Sequence, residues 1–161
     1  MISNLYKIKT RPRRFKLSGI QTNGQFIRGY IRQVWQERDW LHEGQHGFRP
    51  GYSCDSQIIT NCQDISNSLD EASRLDSIII DFSKAFDLVP HDRLLKKIAT
   101  SGVDSRVVLQ IREFLIDGSQ RVIIGRHYSE EFRVTSGVLQ GSVLCPVLFL
   151  AYLNDIWRDT E

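Results

Sequence analysis

An aspartate at the mouth of an apolar run is the first group in this chain whose type and place could do chemistry. Asp81 follows Ile78-Ile79-Ile80 and opens the heptapeptide Asp81-Phe82-Ser83-Lys84-Ala85-Phe86-Asp87. An ionised carboxylate in apolar surroundings is costly unless a cation or hydrogen-bond donors meet it. A metal-dependent phosphoryl-transfer site puts its first ligand at such a strand end. Aspartate is also a favoured helix N-cap, so the local pattern leaves both readings of Asp81 open. Asp87 and Asp92 follow closely, and after a strand end they suit the caps of the next turns better than further ligand positions.

Several elements must position that carboxylate. Leu75 to Ile80 is a continuous apolar run and reads as a strand buried on both faces. Upstream, Phe26, Ile27, Tyr30, Ile31, Val34 and Trp35 recur at helical spacing, which predicts a helix from Gln25 to about Leu41 after an irregular stretch over 1–22. The Gly- and Pro-rich residues 43–51 end it. A second helix is predicted over Ser53 to Ala72, with Ile58, Ile59, Cys62, Ile65 and Leu69 inward. Pro90 suits the first turn of a helix to about Thr100, with Leu94, Leu95 and Ile98 inward and Gly102 as its breaker. Asp104 or Ser105 caps another to about Ile116. Gln120–Ile124 and Glu131–Thr135 read as a hairpin around Gly125-Arg126. A last helix runs from near Ser142 toward Trp157. Strands mixed with segregated helices predict an α+β fold.

The totals set bounds. A chain of 161 residues suits one domain or part of a larger one, and 41% hydrophobic with 25% charged residues is neither a disordered nor a fibrous composition. No apolar run approaches the roughly 20 residues of a membrane span, and no signal-peptide core follows Met1. Both point to an intracellular protein, nuclear or cytoplasmic, that is not secreted. Cys54, Cys62 and Cys145 match no zinc spacing and read as reduced core thiols, while His42, His46, His91 and His127 show no ligand spacing.

The net charge of +2 hides an asymmetry. Residues 1–36 hold eight of the twenty-one basic residues and no acid, which leaves thirteen basic against nineteen acidic residues, a net of −6, in the remainder. A basic arm over residues 1–24 on an acidic body suits contact with nucleic-acid phosphates; a solvated tail without a ligand is the other reading.

Three segments in order carry a family resemblance: QHGFRPGYS (45–53), DFSKAFDLVPHDRL (81–94) and SGVLQGSVLCPVLFLAYLNDI (136–156). Over residues 25–161 they resemble the reverse transcriptase domain of non-LTR (LINE-type) retrotransposons. The resemblance implies a partial right-hand polymerase fold, with fingers, an incomplete palm and no thumb. It implies an RNA template, a DNA primer and deoxynucleoside triphosphates as partners. Two Mg²⁺ ions would serve the transfer, held by hard oxygen ligands.

By the same resemblance Asp81 is the catalytic metal-binding carboxylate and Phe82 offers its carbonyl. Ala85 and Phe86 lie at the incoming nucleotide, the Phe86 ring leaving no room for a 2′-hydroxyl. Gln140 and Gly141 form a second nucleotide-binding segment. Arg49, and Arg121 at the hairpin start, meet the template.

The chain departs from the family pattern at four places. Leu139 stands where proline is usual and Cys145 where glycine is usual. The basic fingers segment before the first helix is not recognisable. The third motif, which brings two further aspartates, would lie about ten residues beyond Asn154-Asp155-Ile156, and the chain stops at Glu161. With one metal-ligand carboxylate of three, this stretch alone is expected to be nearly inert. The apolar face of 143–153 is expected to be partly exposed. Two other classes remain in view: a non-catalytic nucleic-acid-binding module, and an α/β hydrolase or phosphatase with Asp81 as nucleophile, whose partner residues the sequence does not supply.

Overall fold

The computed structural model describes residues 17–116, 118–124 and 126–156. The basic residues before Leu17 and the end of the chain from Trp157 lie outside that range, so the arm expected over 1–24 is mostly outside it too.

Helix α1 spans Leu17–Glu37, starting earlier and ending sooner than the 25–41 that apolar spacing predicts. Its core face is Ile31 and Trp35, one turn apart and both buried. It stops at a backbone lock. Asp39 takes φ +46°, its N–H bonds to Gln36 O (3.3 Å), and the Trp40 N–H reaches back to Trp35 O (2.9 Å). This is a Schellman motif closed by aspartate, one of the few non-glycine types that tolerate the left-handed region. The lock also stacks Trp40 on Trp35, with ring centroids 4.7 Å apart.

Helix α2, Cys54–Asp70, forms where expected, entered through a capping box in which the Ser53 and Ser56 hydroxyls each accept the other's N–H. It is correct in span but not in burial. None of its residues is buried, and Ile58, Ile59, Ile65 and Leu69 face solvent. Local propensity and a good cap make the helix; no described element covers its apolar stripe.

The segment Leu75–Ile80 is likewise not a buried strand. It has no regular secondary structure and pairs with no described residue, and Ile79 is 92% exposed. A doubly buried strand needs ladder partners on its edges and cover on its faces. Both are lacking among the described residues.

The core lies in the helices that follow. Helix α3 (His91–Thr100) and helix α4 (Ser105–Ile116) pack on each other, joined through a turn at Gly102 with φ +88°. They bury Leu94, Ile98, Val103, Ile111 and Leu115. Helix α5 (Cys145–Leu153) packs on α3 and α1 and is apolar all round, as a central helix must be. It starts three residues later than expected, and residues 142–144 form bends instead. Its face is not exposed, contrary to expectation. Cys145 and Val147 to Ala151 are all buried, because α1 and α3 cover them. Of the three cysteines expected in the core only Cys145 is there; Cys54 and Cys62 are exposed on α2.

Between α4 and α5 the expected hairpin is present but split. Strand β1 (Ser119–Gln120) pairs antiparallel with β4 (Phe132–Arg133), and β2 (Ile123–Ile124) with β3 (His127–Tyr128). Ser119 faces Arg133 whereas Ile123 faces Tyr128, so one extra residue sits on the returning strand. Such a bulge bends the ribbon and breaks its ladder in two.

Candidate functional site

The heptapeptide that opens at Asp81 starts without regular structure and then turns over Ser83–Asp87. Lys84 takes φ +53°, and its carbonyl accepts the N–H groups of Asp87 (3.0 Å) and Leu88 (3.2 Å). The turn leaves Asp81 and Phe82 exposed and Phe86 half-buried. No helix begins at Asp81, which removes the capping reading for it. Asp92 lies in the first turn of α3, where a carboxylate complements the helix dipole.

This turn is fastened to the segment 136–140 by its backbone. The Val138 N–H bonds to Phe86 O (2.8 Å), the Gly137 N–H to Val89 O (2.8 Å), and Pro90 bridges Ser136 in antiparallel fashion. Side chains add to it. The Ser136 hydroxyl donates to Asp87 O (3.2 Å), and buried His91 meets Gly137 O through Nε2 at 2.8 Å. A carbonyl only accepts, so that nitrogen carries the proton. Gln140 then donates from Nε2 to the Asp87 carboxylate at 3.3 Å. Asp87 therefore serves neither as a cap nor, by its visible contacts, as a ligand. It ties the glutamine to the turn. These bonds bring Phe86 and Gln140 together from positions far apart in sequence.

The Phe86 ring rests on Phe149 of α5, centroids 4.3 Å apart, and meets Phe48 edge-on at 6.2 Å and 78°. Burial of Cys145 beneath this region pushes its thiol up to about 11, with the nearby Asp87 charge adding to the effect. Cys145 is thus held as a buried, protonated core group.

The two arginines expected at the template are otherwise engaged. Arg49 donates to His42 O (3.0 Å) and its guanidinium stacks 4.5 Å over Tyr52. Arg121 pairs with Glu131 across the ribbon at 2.6 Å. Neither is brought to the Phe86–Gln140 face by a contact of its own. Periodicity gave no sign of Arg32, on α1. Its Nη2 donates weakly to Phe48 O (3.4 Å), while its Nε is buried without a partner. Desolvation, then the neighbouring Arg28, lowers its pKa from the usual arginine value.

No three His, Cys, Asp or Glu side chains converge among the described residues. One exposed carboxylate and one carbonyl are fewer oxygens than a Mg²⁺ ion needs. Residues 17–156 therefore do not by themselves fit the two-ion site. What they build is an open platform with an aromatic ring, an amide and a carboxylate at its edge. No helix among the described residues is long and apolar enough to cross a membrane.

A family model described as reverse transcriptase (RNA-dependent DNA polymerase) matches residues 14–161. The chain is similar to the probable RNA-directed DNA polymerase from transposon BS of Drosophila melanogaster, 29% identical over 132 residues, which cover 82% of this chain and 14% of that protein. It is similar to the corresponding protein from transposon X-element of the same organism, 31% identical over 126 residues, 78% of this chain and 14% of that one. A third relative is the Retrovirus-related Pol polyprotein from type-1 retrotransposable element R2 of Popillia japonica, 29% identical over 79 residues, 49% of this chain and 13% of that protein. The matched stretch thus spans about one-seventh of the length of these relatives.

Proposed function

The chain belongs to the reverse transcriptase (RNA-dependent DNA polymerase) family, and from that membership we propose that it supplies the fingers and part of the palm of a non-LTR retrotransposon polymerase. The reaction is attack of a primer 3′-hydroxyl on the α-phosphorus of a deoxynucleoside triphosphate, with pyrophosphate leaving, directed by an RNA template. The observation that carries this reading is the fastening of 136–140 onto 86–90, which sets Phe86 and Gln140 side by side.

Each residue then has a physical task. The Phe86 ring, backed by buried Phe149, occupies the volume a ribose 2′-hydroxyl would need. The Gln140 amide, with one N–H on Asp87, keeps its other N–H and its oxygen for the sugar or triphosphate. Ala85 and Gly141 let the ligand approach the backbone closely. Arg49 and Arg121 border the template path with the donors their internal contacts leave over. Divalent metal ions serve this family; Asp81 and the Phe82 carbonyl would be part of one ion's shell, its remaining ligands lying outside residues 17–156. With that shell incomplete, this stretch binds nucleotide and template–primer but does not turn over.

Equilibrium binding of a fluorescent dNTP and its ribonucleotide counterpart, in the presence of an RNA–DNA template–primer and Mg²⁺, tests the reading. Wild type should prefer the deoxynucleotide, Phe86→Ala should lose the preference, and Gln140→Ala should weaken both ligands. Equal affinity of wild type for the two sugars would overturn it.

A further inference from the structure

We infer that Phe48 is a positioning residue that fixes the Phe86 ring and so sharpens discrimination between deoxyribose and ribose; this rests on the nucleotide reading of Phe86 given above. Three features of Phe48 bear on this. Its backbone sits at φ +57°, a region that bulky residues avoid. Its side chain is 51% exposed, so the strain is not offset by burial in the core. Its ring nevertheless meets Phe86 edge-on, with centroids 6.2 Å apart and planes at 78°, the arrangement aromatic quadrupoles favour. Backbone strain that the fold does not require, held against a site residue, points to function rather than to stability.

The loop that carries Phe48 is built to hold it still. Arg49 bonds to His42 O and stacks on Tyr52. The Tyr52 ring meets His46 edge-on at 4.8 Å, and His46 bonds to Ser56 at the entry to α2 (2.7 Å). Gln45 donates to Gly47 O (3.1 Å), and Arg32 of α1 reaches the Phe48 carbonyl itself. Two helices and four loop side chains thus brace the backbone that carries this half-exposed ring. The wall of Phe86 away from solvent is already set by Phe149. Phe48 adds an edge-on contact to the same ring. A ring that excludes one hydroxyl must not pivot by the width of that oxygen, and removing Phe48 takes away one of the ring's restraints.

The test compares dNTP and rNTP affinities for wild type, Phe86→Ala, Phe48→Gly and Phe48→Tyr, with thermal melts and ¹H–¹³C spectra of the Phe86 ring. Phe48→Gly removes the ring and also the backbone strain, so it should melt no lower than wild type. Its deoxynucleotide preference should fall about 3- to 10-fold, the range an edge-to-face aromatic contact is worth. The Phe86 ring signals should shift and show faster flipping without nucleotide present. Phe48→Tyr keeps the edge contact and should keep both the preference and the ring signals. If Phe86→Ala loses the preference while Phe48→Gly keeps it, or the Phe86 ring signals stay unmoved, Phe48 has no such role and the nucleotide reading stands. If Phe86→Ala leaves the preference intact, the nucleotide reading fails, and with it the sugar discrimination assigned to Phe48.

Discussion

Gly137 lies so close to Asp87 that a β-carbon on it would stand 2.7 Å from the Asp87 carbonyl oxygen. The obstacle is backbone, so no side-chain motion relieves it. Gly137 also sits at φ +89°, where any other residue is strained. Gly137→Ala should therefore part the two fastened segments and cost more than the roughly 1–3 kcal/mol of the backbone strain alone. Gly141, at φ +82° with open space around it, is the internal control. Urea unfolding should place Gly137→Ala well below Gly141→Ala. Equal midpoints would mean that the contact with Asp87 does not hold the site together.

Cys145 gives a pH prediction. Its thiol, raised by burial to about 11 from the ordinary 9.0, holds its proton more tightly in the folded chain than in the unfolded one. The stability this contributes is complete below pH 9 and is lost as pH climbs through 11. Melting points should be insensitive to Cys145→Ala substitution in pH slope between 7 and 8.5, and wild type should fall more steeply than the variant above pH 9. Alkylation followed by mass spectrometry should label the exposed Cys54 and Cys62 at pH 8 and spare Cys145 until the chain unfolds.

What the sequence revealed and what it hid divide along one physical line. Helix positions followed from local information: the apolar stripe of α3 and the Gly102 stop act within a few residues. Which stripe becomes buried is decided by distant partners. Ile58 and Ile79 look as apolar as Ile31 and Ile98, yet only the latter pair find cover. The site was legible as two motifs, 81–94 and 136–141. Their joining through Gly137, His91 and Asp87 was not, because a hydrogen bond across some fifty residues leaves no spacing to read. Phe48 and Arg32 were hidden for the same reason.

Asn154 closes the other end of the core and yields a stability prediction. Its amide accepts the His42 N–H at 2.9 Å and donates to Trp40 O at 2.7 Å, tying the end of α5 to the chain leaving α1. The side chain is buried, so truncation removes both of these bonds at once. Asn154→Ala should cost about 1–3 kcal/mol, since each of the two hydrogen bonds lost contributes about 0.5–1.5. Asn154→Asp keeps only the acceptor and should fall between. Denaturant titration reads the order directly, and a variant as stable as wild type would remove Asn154 from the framework.

The apolar surface of α2 and of 75–80 carries the last prediction. Ile58, Ile59, Ile65, Leu69, Ile78 and Ile79 all stand in solvent, and none of them belongs to the buried core cluster. Apolar patches of more than a few hundred Å² promote association and contribute nothing to monomer stability. Replacing Ile78 and Ile79 by serine should therefore lower dye binding and light scattering while leaving the melting midpoint unchanged, since neither side chain packs on the core. That midpoint should lie below about 60 °C, within or under the usual mesophile range, because so much apolar area remains in water. The diagnostic outcome is the pairing of the two readouts. If the double substitution also lowers the midpoint of a dilute monomer, residues 78 and 79 are buried in solution and the strand that the sequence suggests forms there after all.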